Sequence, residues 1–163
     1  MIEIERRFLC LSLEDEALRH AERTTIRQGY LTEGEPAVRI RQMGGAYLLT
    51  IKSGRGLKRH EIELPVEPAA GEALMAMVGE RKLEKVRCRI GRWEIDLFQG
   101  KLHGLVLAEV ELEHEEEPLP PPPPGVHLGR EVTDERTFTN QHLAMLDDEA
   151  AHRLLEGVRA GRF

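Results

Sequence analysis

The sequence predicts a mainly β fold of the α+β class: an eight-stranded antiparallel β tunnel or barrel with peripheral helices and a C-terminal helix. Three observations predict it. Strand-like alternation recurs along most of the chain, helical spacing is confined to a few segments, and charged residues sit two apart in six or more of the strands. At 163 residues the chain is read as a single domain, 1–163, long enough to bury a core.

The elements follow in order. Residues 2–9 form the first strand. Ser12 followed by Asp15 reads as a capping box for a short helix over about 13–23. Thr25–Leu31 is the second strand. Ala37–Gln42 and Ala46–Lys52 flank Gly44-Gly45, a hairpin signal. Leu57–Leu64 follows a Gly54-Arg55-Gly56 turn. Ala69–Gly79 is a helix whose Leu74, Met75, Met77 and Val78 face a core. Lys85–Ile90, Trp93–Phe98 and Leu105–Glu113 complete the eight strands, with Gly91 and Gly100 at turns. Five consecutive prolines, Pro120–Pro124, impose an extended surface connector. From Asn140 the tail carries Leu143, Leu146, Leu154, Leu155 and Val158 at helical spacing, an amphipathic helix.

Composition narrows the function classes. Lys and Arg number 23 against 29 Asp and Glu, a net charge of -6, which argues against an electrostatic nucleic-acid binder. There is no run of 18 apolar residues and no basic-then-apolar leader, so a cytoplasmic protein without a membrane segment is expected. Cys10 and Cys88 match no metal-binding spacing and read as reduced, buried thiols.

The charged alternation carries the chemistry. Glu3, Glu5 and Arg7 share one face of the first strand. Arg39 and Arg41, then Thr50 and Lys52, do so on the hairpin. Arg59, Glu61 and Glu63 follow, then Lys85, Arg87 and Arg89, then Glu94 and Asp96, and finally Glu109, Glu111 and Glu113. One such strand is ordinarily a solvated face. If six such faces meet, a closed barrel acquires a lumen lined by both signs of charge. Buried ion pairs are poor stabilisers by themselves. Clustered carboxylates call for a cation, and all-oxygen ligands favour Mg²⁺ or Mn²⁺. Clustered guanidinium forks suit phosphate. Together they describe a metal–polyphosphate site.

These residues resemble the CYTH superfamily, the triphosphate tunnel metalloenzymes. The signature ExExK of the first strand is similar to Glu3-Ile4-Glu5-Arg6-Arg7, with Arg7 in place of the lysine. The similarity continues through Gln28-Gly29-Tyr30-Leu31, Val38-Arg39-Ile40-Arg41, Thr50-Ile51-Lys52, Glu61-Ile62-Glu63 and Lys85-Val86-Arg87. It then covers Trp93–Phe98, Leu107–Leu112 and Glu131-Val132-Thr133, in order over nearly the whole chain. The resemblance implies an antiparallel eight-stranded tunnel acting on triphosphates with divalent metal, Mg²⁺ or Mn²⁺.

By the same resemblance Arg7, Arg39, Arg41, Lys52 and Arg87 grip phosphate, with Lys85 as a helper. Glu3, Glu5, Glu63, Asp96, Glu109 and Glu111 hold metal, and Glu61 supports them. Arg7, Glu5 and Glu111 are the residues implied for catalysis. The family lysine has been proposed to help activate the nucleophile, whereas an arginine stays charged and can only orient or stabilise. The family's Arg before an aromatic and an Asn corresponds to Arg136 in Arg136-Thr137-Phe138-Thr139-Asn140, one residue early.

Within the family a hydrolase is favoured. Aromatics are 4% of the chain, too few to suggest a base- or thiazole-stacking platform, and class IV adenylate cyclases carry extra residues ahead of the first motif, where this chain begins. Inorganic triphosphate is the expected small-molecule substrate. Thiamine triphosphate, nucleoside triphosphates and polyphosphate are the alternatives. The competing class is a non-catalytic polyphosphate-binding module; a docking protein acting through Pro120–Pro124 is a third. A monomer or homodimer is expected.

Overall fold

In the computed structural model, which describes residues 1–54 and 56–163, nine strands build one antiparallel sheet. They are β1 (Ile2–Leu13), β2 (Glu22–Tyr30), β3 (Ala37–Met43), β4 (Ala46–Ser53), β5 (Lys58–Val66), β6 (Lys82–Ile90), β7 (Trp93–Phe98), β8 (Val106–Glu111) and β9 (Val126–Glu131). The order is β5-β4-β3-β2-β6-β7-β8-β1-β9, and a further β5–β1 pairing closes the first eight into a barrel. Closure is short, through Ile2 with His60, Glu3 with Arg59 and Ile4 with Lys58. The Gly54-Arg55-Gly56 turn has its middle residue outside the described residues.

β1 does two jobs. Its first half pairs with β5, its middle with β8, and its second half runs on to Leu13 against β9. Ser12 is therefore a strand residue, and the expected helix over 13–23 reduces to α1 (Asp15–Leu18). No side chain caps α1, because Glu14 rather than Ser12 occupies the N-cap. β2 then begins at Glu22, and β9 is a ninth strand beyond the eight expected.

Helix α2 (Pro68–Val78) lies on the outer face of β3 and β4. Ile40, Tyr47, Met75 and Val78 are buried there, whereas Met77 points to solvent. The approach is close enough that a Cβ on Gly29 of β2 would run into Val78. The outer faces of β1, β7 and β8 are covered by α1 and the proline connector, with Phe8, Trp93, Ile95 and Val110 buried between them. Trp93 Nε1 donates to the Pro121 carbonyl at 3.0 Å. The proline stretch is thus extended, as its composition requires, and pinned to the barrel.

The C-terminal tail forms two helices rather than one, α3 (Asn140–Met145) and α4 (Asp148–Arg159). The break has a local cause. The Asp147 side chain accepts from Ala150 N–H at 2.7 Å and starts a new helix, and Lys101 Nζ takes the Ala144 and Leu146 carbonyls freed at the end of α3. Leu143, Leu154 and Leu155 pack with Leu9, Leu83, Phe98 and Leu107. These strand residues lie two positions beyond Arg7, Lys85, Asp96 and Glu109, so they share the inward face. The tunnel interior therefore turns from charged to apolar where the helices close it. Cys88 is buried and Cys10 half-buried, and both are free thiols.

Candidate active site

The strand registers bring the alternating charges to one surface. Glu5 is opposite Glu111 and Arg7 opposite Glu109 across β1 and β8. Arg39 faces Thr50, Thr50 faces Glu63 and Lys52 faces Glu61. Gln28 is opposite Arg41, Arg87 opposite Asp96, and Glu94 opposite Glu109. Directly paired residues share a face, so this set, with Glu3 and Arg59, faces one lumen.

The charges pair in several groups along the lumen wall. Arg7 Nε donates to Glu109 Oε1 at 3.0 Å, its Nη2 to Glu5 Oε1 at 3.1 Å, and its Nη1 to the Phe138 carbonyl at 3.3 Å. Arg87 grips Asp96 with both Nε and Nη2, at 2.8 and 2.9 Å. Lys85, fully buried, donates to Asp96 Oδ2 at 2.7 Å and to Asn140 Oδ1 of α3 at 2.9 Å. Lys52 Nζ lies 2.9 Å from Glu3 Oε2 and 3.7 Å from Glu61 Oε2. Arg39 Nη2 donates to Thr50 Oγ1 at 3.0 Å and lies 3.8 Å from Glu63. Arg41 Nε donates to Gln28 Oε1, and Gln28 Nε2 donates to Tyr30 Oη.

Burial and neighbours polarise these groups. Burial and the Glu109 charge raise the Glu5 carboxyl to about 7, against the pull of Arg7. Burial would raise Glu109 too, but Arg7 and Arg87 outweigh it and hold Glu109 well below the carboxylate range. Burial likewise loses to Lys52 at Glu3, which is lowered, and wins at Glu61, which is raised. Asp96 stays anionic because Lys85 and Arg87 overcome its burial. Lys85 is brought down to about 7 by burial, with Arg87 and Arg41 adding to the effect of burial against the pull of Asp96. Arg41 is lowered to about 10 by burial and by Arg39 and Arg87.

A cavity of about 570 Å³ opens this lumen to one side. Arg7, Tyr30, Arg39, Thr50, Lys52 and Arg59 line its inner wall, and Arg136, Asn140 and His142 line its mouth. Arg136 is exposed at that rim. The sequence-identified strand residues thus share the lumen-facing side of the sheet, Arg136 stands at the entrance, and Glu63 and Glu111 are exposed, Glu111 opposite Glu5. The sequence reading gave no site role to Gln28, Tyr30 and Thr50, whose side chains are neutral, nor to Asn140, which reaches Lys85 only through the packing of α3. Period-two alternation with Lys52 placed Thr50 on the charged face, whereas Gln28 enters through its register opposite Arg41.

Among the described residues, no three acidic, histidine or cysteine side chains converge as a preassembled metal cage. Mg²⁺ is commonly held by one or two carboxylates, with water and substrate phosphate completing its shell. Glu5, raised to about 7 beside Glu109, is a carboxylate that a cation would favour in its charged form. The residues fit a metal that arrives with an anionic substrate.

A closed antiparallel tunnel lined by opposed carboxylates and guanidiniums defines a class of charged-lumen β-barrel proteins. Residues 1–120 match the CYTH domain model, and the chain belongs to the CYTH domain family. It is 37% identical over 153 residues to an inorganic triphosphatase of Nitrosomonas europaea, covering 89% of this chain and 98% of that one. It is 33% identical over 149 residues to an inorganic triphosphatase of Acetivibrio thermocellus, covering 86% and 92%. The crystal structure of an inorganic triphosphatase superposes with a TM-score of 0.62 at 32% identity, covering 89% of this chain and 95% of that one. Among the described residues no helix is long and apolar enough to cross a membrane.

Proposed function

We propose that this protein hydrolyses inorganic triphosphate in the charged lumen with Mg²⁺ or Mn²⁺. One observation carries the reading: among the described residues Arg39 Nε is buried in the lumen wall without an acceptor, beside guanidiniums aimed at the same cavity. An unpaired buried N–H is costly, and a phosphate oxygen satisfies it. The two inorganic triphosphatases similar over most of the chain support the same substrate.

The roles sort by what each side chain already holds. Arg39 and Arg41, which hold no carboxylate within hydrogen-bond range, take phosphate oxygens directly, Lys52 joins them from its ion pair with Glu3, and Arg136 receives the anion at the mouth. Arg7, Lys85 and Arg87 have donors committed to carboxylates, so they contribute positive charge and fix geometry. Asp96, with both oxygens accepting, orients Lys85 and Arg87. Glu3, Glu5, Glu109 and Glu111 are the ligand side for metal, with Glu61 and Glu63 behind them. When bound, a divalent ion supplies charge neutralisation to the phosphate oxygens. Arg7 cannot take a proton, so its part is to hold Glu5 and Glu109 in register and stabilise charge developing on phosphate.

The test is phosphate release from inorganic triphosphate with Mg²⁺ or Mn²⁺, against thiamine triphosphate, ATP and polyphosphate. Release that needs metal and is abolished by EDTA is expected. Tight triphosphate binding without release would make the protein a binding module, and equal rates in EDTA would remove the metal from the reading.

A further inference from the structure

Most lumen cations are matched by the protein itself, and the exceptions indicate where substrate sits. Arg59 is one of them. It faces inward from β5, directly opposite Glu3, with a side chain that is 12% exposed. Its Nε donates to the Gly56 carbonyl at 3.1 Å. Its Nη2 lies 3.9 Å from Glu5 Oε1, beyond hydrogen-bond range, and Glu5 is already held by Arg7. Among the described residues neither Nη group has a hydrogen-bond acceptor, yet both belong to a side chain lining the cavity with Arg39 and Lys52.

The anchor behind Arg59 is a built feature. Gly56 has φ of 72°, a conformation that favours glycine, and a Cβ there would run into the Asp134 carboxylate of the mouth segment. The Gly56 carbonyl is thereby fixed, and it holds Nε so that the outer fork of the guanidinium stays free. A mainly buried side chain that turns the outer fork of its guanidinium to the cavity is well suited to a phosphate.

We propose that Arg59 is a substrate-gripping residue that forks with Arg39 onto phosphate oxygens of a triphosphate seated beside Glu3 and Glu5. The assignment rests on the triphosphatase reading above. The bland alternative is that Arg59 only balances the charge of Glu3 and Glu5, and the two make different predictions.

The experiment measures inorganic triphosphate binding by calorimetry in EDTA, and KM and metal requirement with Mg²⁺, for the natural protein, Arg59→Gln and Arg59→Lys. Lys58→Ala is the neighbouring control, since among the described residues the Lys58 ammonium pairs with Glu115 alone. Arg59→Gln should raise Kd and KM about tenfold or more while leaving the half-saturating Mg²⁺ unchanged. Arg59→Lys should recover part of the loss, because an ammonium lacks the fork. Kd and KM within twofold of the natural values, with only a shifted metal requirement or melting temperature, would overturn the proposal in favour of charge balance. Should the Gln variant not fold, an unchanged Kd for Arg59→Lys overturns it and a rise of about threefold supports it. A natural protein that neither binds nor hydrolyses triphosphate defeats the parent reading instead.

Discussion

Arg7 and Glu109 stand directly opposite each other on β1 and β8, with Arg7 Nε 3.0 Å from Glu109 Oε1 in a pair almost closed to solvent. The same guanidinium holds Glu5, so one cation bridges two buried carboxylates. Arg7→Met removes that cation and leaves both carboxylates exposed to each other. Breaking a buried pair from one side costs about 3–5 kcal/mol, a fall in Tm on the order of 10 °C for a chain this size. Arg7→Lys should lose less and retain activity. It should also gain an alkaline limb in its pH–rate profile, since a buried lysine can lose its proton and an arginine cannot. Identical profiles would place proton transfer elsewhere than position 7.

Phosphate-gripping and metal-holding residues should separate kinetically. Arg39→Ala and Arg41→Ala each remove charge-assisted contacts and should raise the triphosphate KM by about tenfold or more. Glu111→Gln should raise the metal concentration for half-maximal rate and leave the triphosphate KM nearly unchanged. Steady-state kinetics at varied triphosphate and varied Mg²⁺ resolve the two. If all three variants only melt earlier with normal kinetics, the lumen charges are structural ion pairs.

Glu5 supplies a pH test with a definite sign. Burial and Glu109 raise its carboxyl from the ordinary 4.5 to about 7. Without metal, the folded state keeps a proton that the unfolded state has lost. This group's contribution to stability is full below about 4.5 and is lost as pH rises through about 7. A divalent ion favours the carboxylate and releases the proton. The Tm gain on adding Mg²⁺ should therefore grow from pH 5.5 to 7 and level off above. Glu5→Gln should flatten that dependence; a natural protein with the same Mg²⁺ gain at every pH would remove Glu5 from the metal set.

The charged half of the lumen was legible because period-two alternation survives in the sequence. Glu3, Glu5 and Arg7 face together for the same reason as Arg39 and Arg41, and register did the rest. What was not legible depended on distant partners. β9 looks weak in isolation, interrupted by Gly129, but a Cβ there would meet Leu11 of the extended β1 that pairs with it. Ser12 carries a genuine helix-cap chemistry that this pairing overrides. The split between α3 and α4 turns on one side chain, Asp147, whose cap to Ala150 competes with a continuous apolar stripe. Tyr30 and Gln28 entered the site as neutral residues between charged neighbours, and Asn140 through tertiary packing alone.

Asn140 offers the last test, because it ties the closing helices to the charged wall. Its Oδ1 accepts from Lys85 Nζ at 2.9 Å, and the ammonium, fully buried, otherwise relies on Asp96. Asn140→Leu keeps an apolar filler of similar size but strips one acceptor from a buried cation. Leaving such a donor short costs about 1–3 kcal/mol, or roughly 2–10 °C in Tm. The loss should depend on the cation itself. In a Lys85→Met background, where Asp96 is still held by both forks of Arg87, Asn140→Leu should cost at least about 1 kcal/mol less, a coupling typical of residues in one hydrogen-bonded network. Thermal or urea unfolding of the two single variants and the double variant measures that coupling. Strictly additive losses would mean that Asn140 stabilises α3 alone and that the helices are not fastened to the tunnel through Lys85.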